Sequence, residues 1–112
     1  AGLACGEPNP ISWEILKNKS SYFVTIEDSA TANAMRVLGA PRKGDTRIIS
    51  GESGASGMGF LLELLTRDDL SELRENAGVN KDSRFLVFST EGDTDPENYK
   101  KIVCNGGYEH EF

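Results

Sequence analysis

The sequence predicts an α/β fold: a three-layer αβα arrangement with a mainly parallel sheet, in the order β-α-β-α-α-β-α, with a Gly/Pro-rich loop and a short helix ahead of it. Three observations predict it. Short apolar runs at 22–26, 47–50 and 84–88 have the length and residue types of buried strands. Stretches with helical apolar spacing stand between them, and that alternation favours a parallel sheet covered on both faces. The run at 47–50 passes straight through Ser50-Gly51-Glu52-Ser53-Gly54 into a helix. Such a joint brings backbone N–H groups to the C-terminal edge of a sheet, where open α/β sheets bind ligands.

The elements follow in order. Residues 1–10 hold two glycines, Gly2 and Gly6, and are turn-rich, with Pro8 and Pro10 blocking a helix or a ladder. A short helix is expected over 11–18, capped by Ser12, with Ile11, Ile15 and Leu16 on one face and Trp13 packed in a core or interface. Tyr22-Phe23-Val24-Thr25-Ile26 is the first strand, and Glu27-Asp28-Ser29 ends it and caps a helix over 30–38. Ala30, Ala34, Val37 and Leu38 form its packed stripe, Gly39 stops it and Pro41 prevents continuation.

The helix after the second strand runs to about residue 65, with Ala55, Met58, Gly59, Leu62 and Leu65 on one face and Phe60 and Leu61 widening it. Gly54, Gly57 and Gly59 each weaken a helix by roughly 1 kcal/mol relative to Ala. Close approach to a neighbouring element or to a ligand would offset that. Asp69 and Glu72 have capping-box spacing for a short helix carrying Leu70, Leu73 and Ala77, closed by Gly78. The third strand, 84–88, is followed by Ser89-Thr90-Glu91-Gly92-Asp93-Thr94-Asp95. Thr94 or Asp95 caps a last helix that has Pro96 in its first turn and ends near residue 103. The tail, 105–112, is expected to fray.

A chain of 112 residues is one domain at most. Its net charge of -6 is unsuited to nucleic acid, whose phosphates need a basic face. No apolar run approaches the roughly 18 residues of a membrane-spanning helix, and no leader pattern is visible. Cys5 and Cys104 lie far apart without CxxC spacing, so reduced thiols in the cytoplasm are expected. The sequon Asn18-Lys19-Ser20 is then a chance match. A start at Ala1 rather than Met fits a processed product or a piece of a longer protein.

Several chemistries lack their residues. Gly51-Glu52-Ser53-Gly54 and Gly54-Ala55-Ser56-Gly57 are each one residue short of the G-x-S-x-G elbow of a serine hydrolase. The single histidine, His110, lies in the tail, which also removes metal sites built on His and Cys. There is no G-x-G-x-x-G and no Walker lysine. A phospho-acceptor domain would need an aspartate where Ile48-Ile49-Ser50 ends. The acidic loop 91–95 reads as a cap with solvated charge rather than a cation site.

What remains is a set of hydroxyls at two strand ends: Ser50 and Ser53, beside Glu52, after one strand, and Ser89 and Thr90 after another. Such groups orient a polar heterocycle or a carboxylate but do no acid–base work alone at neutral pH. Glu52 has two readings, a helix-start acid favoured by the dipole and a hydrogen-bonding group aimed at a ligand.

Ala-Gly-Leu-Ala-Cys-Gly-Glu-Pro-Asn-Pro at 1–10, Arg36-Val37-Leu38-Gly39, Ile-Ser-Gly-Glu-Ser-Gly-Ala at 49–55 and Ser-Thr-Glu-Gly-Asp-Thr-Asp at 89–95 resemble the C-terminal part of the diaminopropionate ammonia-lyase family. That family is similar to the tryptophan synthase β-type class of pyridoxal-phosphate enzymes, which includes threonine and serine dehydratases. The resemblance implies that residues 1–112 are a single C-terminal α/β fragment of such an enzyme. It implies α,β-elimination from 2,3-diaminopropionate, giving pyruvate and ammonia, with pyridoxal phosphate as electron sink in the full-length protein. By the same resemblance Ser89, or Thr90 as alternate, would bond the pyridine nitrogen, and Glu52 and Ser53 would lie close to the cofactor. The Schiff-base lysine, the glycine-rich phosphate loop and the catalytic carboxylates of the family lie upstream. No catalytic residue is therefore assigned in this fragment, and the stretch 51–59 is not a phosphate loop. Lys17, Lys19, Lys43, Lys81, Lys100 and Lys101 stand in polar contexts, whereas a Schiff-base lysine needs a lowered pKa. The implied partners are the missing N-terminal half, a small amino-acid substrate and further copies in a homo-oligomer, with no nucleic acid and no membrane. The alternative is a stand-alone, non-catalytic module that binds a small polar ligand or a protein.

Overall fold

The structure, a computed structural model, describes residues 5–108. The helices are α1 (Pro10–Lys19), α2 (Asp28–Gly39), α3 (Glu52–Thr66), α4 (Ser71–Asn76) and α5 (Pro96–Val103), with a 3-10 turn over Asp68–Leu70 leading into α4. Their order matches the expected helices. The sheet does not appear. Among the described residues no strand forms, and this overturns the expected three-layer αβα fold with a parallel sheet.

The reason is the difference between a β-prone segment and a ladder. Propensity measures how well a segment suits a pleated neighbour; it supplies no neighbour. Within the described residues, no backbone hydrogen bond involves residues 22–26 or 84–88. In the run 47–50 the Ile48 N–H donates to the Leu38 carbonyl at 2.9 Å, which ties the run to the end of α2 and not to another strand. Among the described residues no backbone hydrogen bond joins the runs at 47–50 and 84–88; just past their ends the Gly51 N–H donates to the Glu91 carbonyl at 2.9 Å.

The core belongs to the helices. Ala32, Ala34 and Met35 of α2, Ala55 of α3 and Ile102 of α5 are buried together, with Leu38, Met58, Leu62, Tyr99 and Val103 packed around them. Small residues set the spacing between α2 and α3. A Cβ on Gly59 would lie 2.9 Å from the Ala30 carbonyl oxygen and 3.0 Å from its carbon, so only glycine permits this approach. Gly57 differs: a Cβ there would meet Val87 at an ordinary 3.5 Å. The close-approach explanation of the glycine-rich helix therefore holds at Gly54 and Gly59 and fails at Gly57.

Details of the elements also shift. Asn9 caps α1, its side chain accepting from the Ile11 and Ser12 N–H groups at 3.0 Å each, in place of the expected Ser12 cap. Pro10 then occupies the first turn, where it loses nothing by lacking an N–H. No residue of α1 is buried, and Trp13 is half exposed against Phe23, with ring centroids 6.0 Å apart. On α2 the buried face includes Met35, while Val37 is exposed. The anticipated capping box fails because Asp69 pairs with Arg67. Asp95 caps α5, accepting from the Asn98 N–H at 3.1 Å. The start of the tail is tied down: the Gly107 N–H donates to Lys101 at 3.0 Å, and the Arg36 guanidinium donates to the Gly107 carbonyl. Residues 1–4 and 109–112, and with them His110, lie outside the described residues.

Candidate functional site

The site forms where the joint into α3 meets the loop that precedes α5. Among the described residues Ser50 is the one buried polar side chain, with 0% of its surface exposed. Its Oγ lies 2.7 Å from the Ser89 Oγ and 3.4 Å from the Gly51 carbonyl oxygen. The first separation is that of a good O–H···O bond and the second is long for one. Ser89 itself is exposed. A buried hydroxyl thus holds an exposed one at the end of the run 84–88.

Gly54 makes this approach possible. A Cβ there would lie 2.7 Å from Ser50 Oγ, 2.8 Å from Ser89 Oγ and 2.8 Å from the Glu91 carbonyl oxygen. Gly51 is confined in the same way, its missing Cβ falling 2.5 Å from the Gly92 carbonyl oxygen. Two segments, 50–54 and 89–92, are pinned at a distance that only glycine allows at these positions.

Glu91 closes the clasp. One carboxylate oxygen accepts from the Ser53 N–H at 2.9 Å and the other from the Thr94 hydroxyl at 3.2 Å. Burial pushes this carboxyl up, but the hydrogen bonds from the Ser53 N–H and the Thr94 hydroxyl outweigh it and hold the group below its ordinary value of 4.5. The N-terminus of α3 is therefore served by the chain's own anion, reaching in from another segment. An outside phosphate would find these amides engaged. This corrects the reading of Glu91 as one of several solvated charges.

Of the residues expected around a ligand, Ser89 is brought to Ser50, and Ser53 lies in the first turn of α3, with its Oγ buried and turned, like its N–H, to the Glu91 carboxylate. Glu52 turns to α5, its carboxylate accepting from the Asn98 side-chain amide at 2.9 Å. Thr90 is exposed and makes no hydrogen bond within the described residues. Ser50 was visible in the sequence only as one hydroxyl among four. Its burial and its pairing with Ser89 were not, because both depend on Gly54.

The clasp encloses little. The cleft lined by Glu52, Glu91, Asp93 and Asp95 has a volume of about 20 Å³, room for about one water molecule. A larger cleft of about 320 Å³ lies elsewhere, between α2 and α3, lined by Ala30, Asn33, Gly59 and Leu62. All six lysines are exposed. Among the described residues no group of His, Cys, Asp and Glu could hold a metal ion, and no helix is long and apolar enough to cross a membrane. The hydroxyls suit the neutral, hydrogen-bond-accepting side of a heterocycle such as pyridoxal phosphate. The carboxylates beside them do not suit its phosphate, so these residues fit the ring end of that cofactor and not its phosphate end.

No protein-family model matches the chain. Over 106 residues it is 52% identical to diaminopropionate ammonia-lyase of Escherichia coli (strain K12), covering 95% of this chain and 27% of that enzyme. The diaminopropionate ammonia-lyase of Salmonella typhimurium (strain LT2) is 48% identical over 107 residues, covering 95% of this chain and 26% of that enzyme. A crystal structure of the E. coli lyase in complex with an aminoacrylate–PLP azomethine reaction intermediate matches with a TM-score of 0.90 at 50% identity, over 97% of this chain and 28% of that one. The chain thus spans about a quarter of the length of these relatives.

Proposed function

We propose that this chain, homologous to the C-terminal portion of diaminopropionate ammonia-lyase, forms one wall of the pyridoxal-phosphate site in a lyase that converts 2,3-diaminopropionate to pyruvate and ammonia by α,β-elimination. The observation that carries this reading is the likeness at 50% identity to a lyase solved with a cofactor-bound reaction intermediate. It favours the lyase over a stand-alone binding module, since the matched region takes in nearly the whole chain.

In this reading residues 1–112 act as a single unit, and the rest of the polypeptide completes the site. Pyridoxal phosphate, when bound, supplies the electron sink for elimination. Ser89 holds its hydroxyl against the pyridine nitrogen, with Thr90 as the alternate. A hydroxyl partner leaves that nitrogen neutral, where a carboxylate would draw a proton onto it. Glu52 and Ser53 belong to the same wall. The lysine that carries the cofactor and the groups that hold its phosphate come from outside this chain, which offers exposed lysines and a carboxylate-lined cleft. The small amino-acid substrate, the homo-oligomer and the cytoplasmic setting belong to the same proposal.

The test is a chimera: the E. coli lyase with its matching segment replaced by this chain, supplied with pyridoxal phosphate and 2,3-diaminopropionate. Pyruvate release by the chimera, and none by the chain alone above a buffer-plus-cofactor blank, is the expected result. Release by the chain alone would overturn the proposal, because it would require a lysine nucleophile that this reading assigns elsewhere.

A further inference from the structure

We infer that Ser50 is a positioning residue for the cofactor: its hydroxyl donates to Ser89 and so directs the Ser89 proton outward, toward the ring nitrogen. The inference rests on the proposed function and adds to it a residue that touches neither cofactor nor substrate.

The geometry restricts the two protons. Either hydroxyl can donate across the 2.7 Å separation. If Ser89 donates, its proton is spent on Ser50, and the Ser50 proton is left with the Gly51 carbonyl at a long 3.4 Å. If Ser50 donates, its proton sits in the short bond and the Ser89 proton is free to point away from the protein. An acceptor placed before Ser89 selects the second arrangement, since only then does each proton have a good partner. Donation from Ser50 also polarises the Ser89 hydroxyl and makes it a better donor. Ser50 is fully buried and Ser89 exposed, so the direction of donation runs from the interior to the site. Gly54 holds the pair in place, because any side chain at that position would occupy the space of both oxygens.

The experiment uses the chimera with added pyridoxal phosphate, and compares Ser89→Ala, Ser50→Ala, Ser50→Cys and the double variant Ser50→Ala/Ser89→Ala. Cysteine nearly keeps the size of serine but is a weak donor, so it separates donation from filling of space. Ser50→Ala and Ser50→Cys are both expected to weaken cofactor binding by about 3- to 10-fold and to alter the absorption band of the bound cofactor and its pH dependence. In the Ser89→Ala background, removing the Ser50 hydroxyl is expected to change neither further, since Ser50 acts only through Ser89. Additive losses in the double variant, or a Ser50→Cys protein with unchanged affinity and band, would overturn the role of Ser50 while leaving that of Ser89 intact. A Ser89→Ala protein that binds cofactor with unchanged affinity and spectrum would instead remove the ring contact itself.

Discussion

The α2–α3–α5 cluster and the two runs at 22–26 and 84–88 are made of comparably apolar residues that meet opposite fates. In the cluster, Met35 and Ile102 are each 1% exposed. In the runs, Phe23 is 64%, Leu86 80% and Phe88 76% exposed. A helix satisfies its backbone internally and needs neighbours only for its side chains. An extended run needs neighbours for both, and among the described residues these two runs make no backbone hydrogen bond and leave most of their side chains exposed. The cluster is thus a finished interior, while the runs are exposed apolar surface, larger in side chain than a solvated face needs. The clasp at Ser50, Ser89 and Glu91 lies where the two kinds of region meet.

The largest effect that separates them is a cavity. Met35→Ala and Ile102→Ala should each cost about 2–5 kcal/mol, the loss of burial plus an unfilled space. Urea melts of the isolated chain should show lower midpoints with unchanged slope. Losses under 1 kcal/mol would show that the cluster is not the stabilising interior.

Two glycines on one helix sharpen the contrast at smaller scale. Gly59 faces the α2 backbone, which has no freedom to move aside, so Gly59→Ala should destabilise by about 1–2 kcal/mol despite its gain in helix propensity. Gly57 faces Val87 in the run at ordinary contact distance, so Gly57→Ala should stabilise by about 0.5–1 kcal/mol. Equal effects at the two positions would erase the distinction between the tight side of α3 and the loose one.

Glu91 gives a smaller effect, visible as pH dependence. Its pKa is depressed in the folded state, so its contribution is fully present above the ordinary value of 4.5 and is lost as pH falls through the folded value. Glu91→Gln should lower stability at neutral pH, and the gap to the parent chain should close as both are acidified below 4.5. A gap that stays constant with pH would mean that the charge of Glu91 plays no part in holding the start of α3.

What the sequence disclosed follows the same division. Helix positions were legible because their causes are local: Asp95 and Pro96 at the start of α5, and the apolar spacing of α2 and α3. The sheet was misread because strand pairing is not local, and β-branched runs such as Tyr22-Phe23-Val24-Thr25-Ile26 look alike with or without a partner. The hydroxyls at 50, 53, 89 and 90 were identifiable by type. Which of them pair depended on two glycine approaches, at Gly51 and Gly54, and on one carboxylate, Glu91, arriving from 38 residues away, none of which leaves a periodic trace.

The smallest expected effect tests the runs themselves. Leu86→Thr and Phe88→Thr replace side chains that are mostly solvent-exposed in this chain, so each should change its stability by less than about 0.5 kcal/mol. Threonine is β-branched and suits an extended run, so the substitutions do not weaken the backbone preference of the run. If the rest of the lyase covers the run, the same substitutions made in the chimera should lower its melting temperature and its yield of folded protein, since the apolar surface to be buried is reduced. The isolated chain carries the complementary signature: dye binding and self-association that fall in the Leu86→Thr/Phe88→Thr double variant. Substitutions silent in both the chain and the chimera would show that the run remains surface in the assembled enzyme. The two regions would then differ in exposure without differing in purpose.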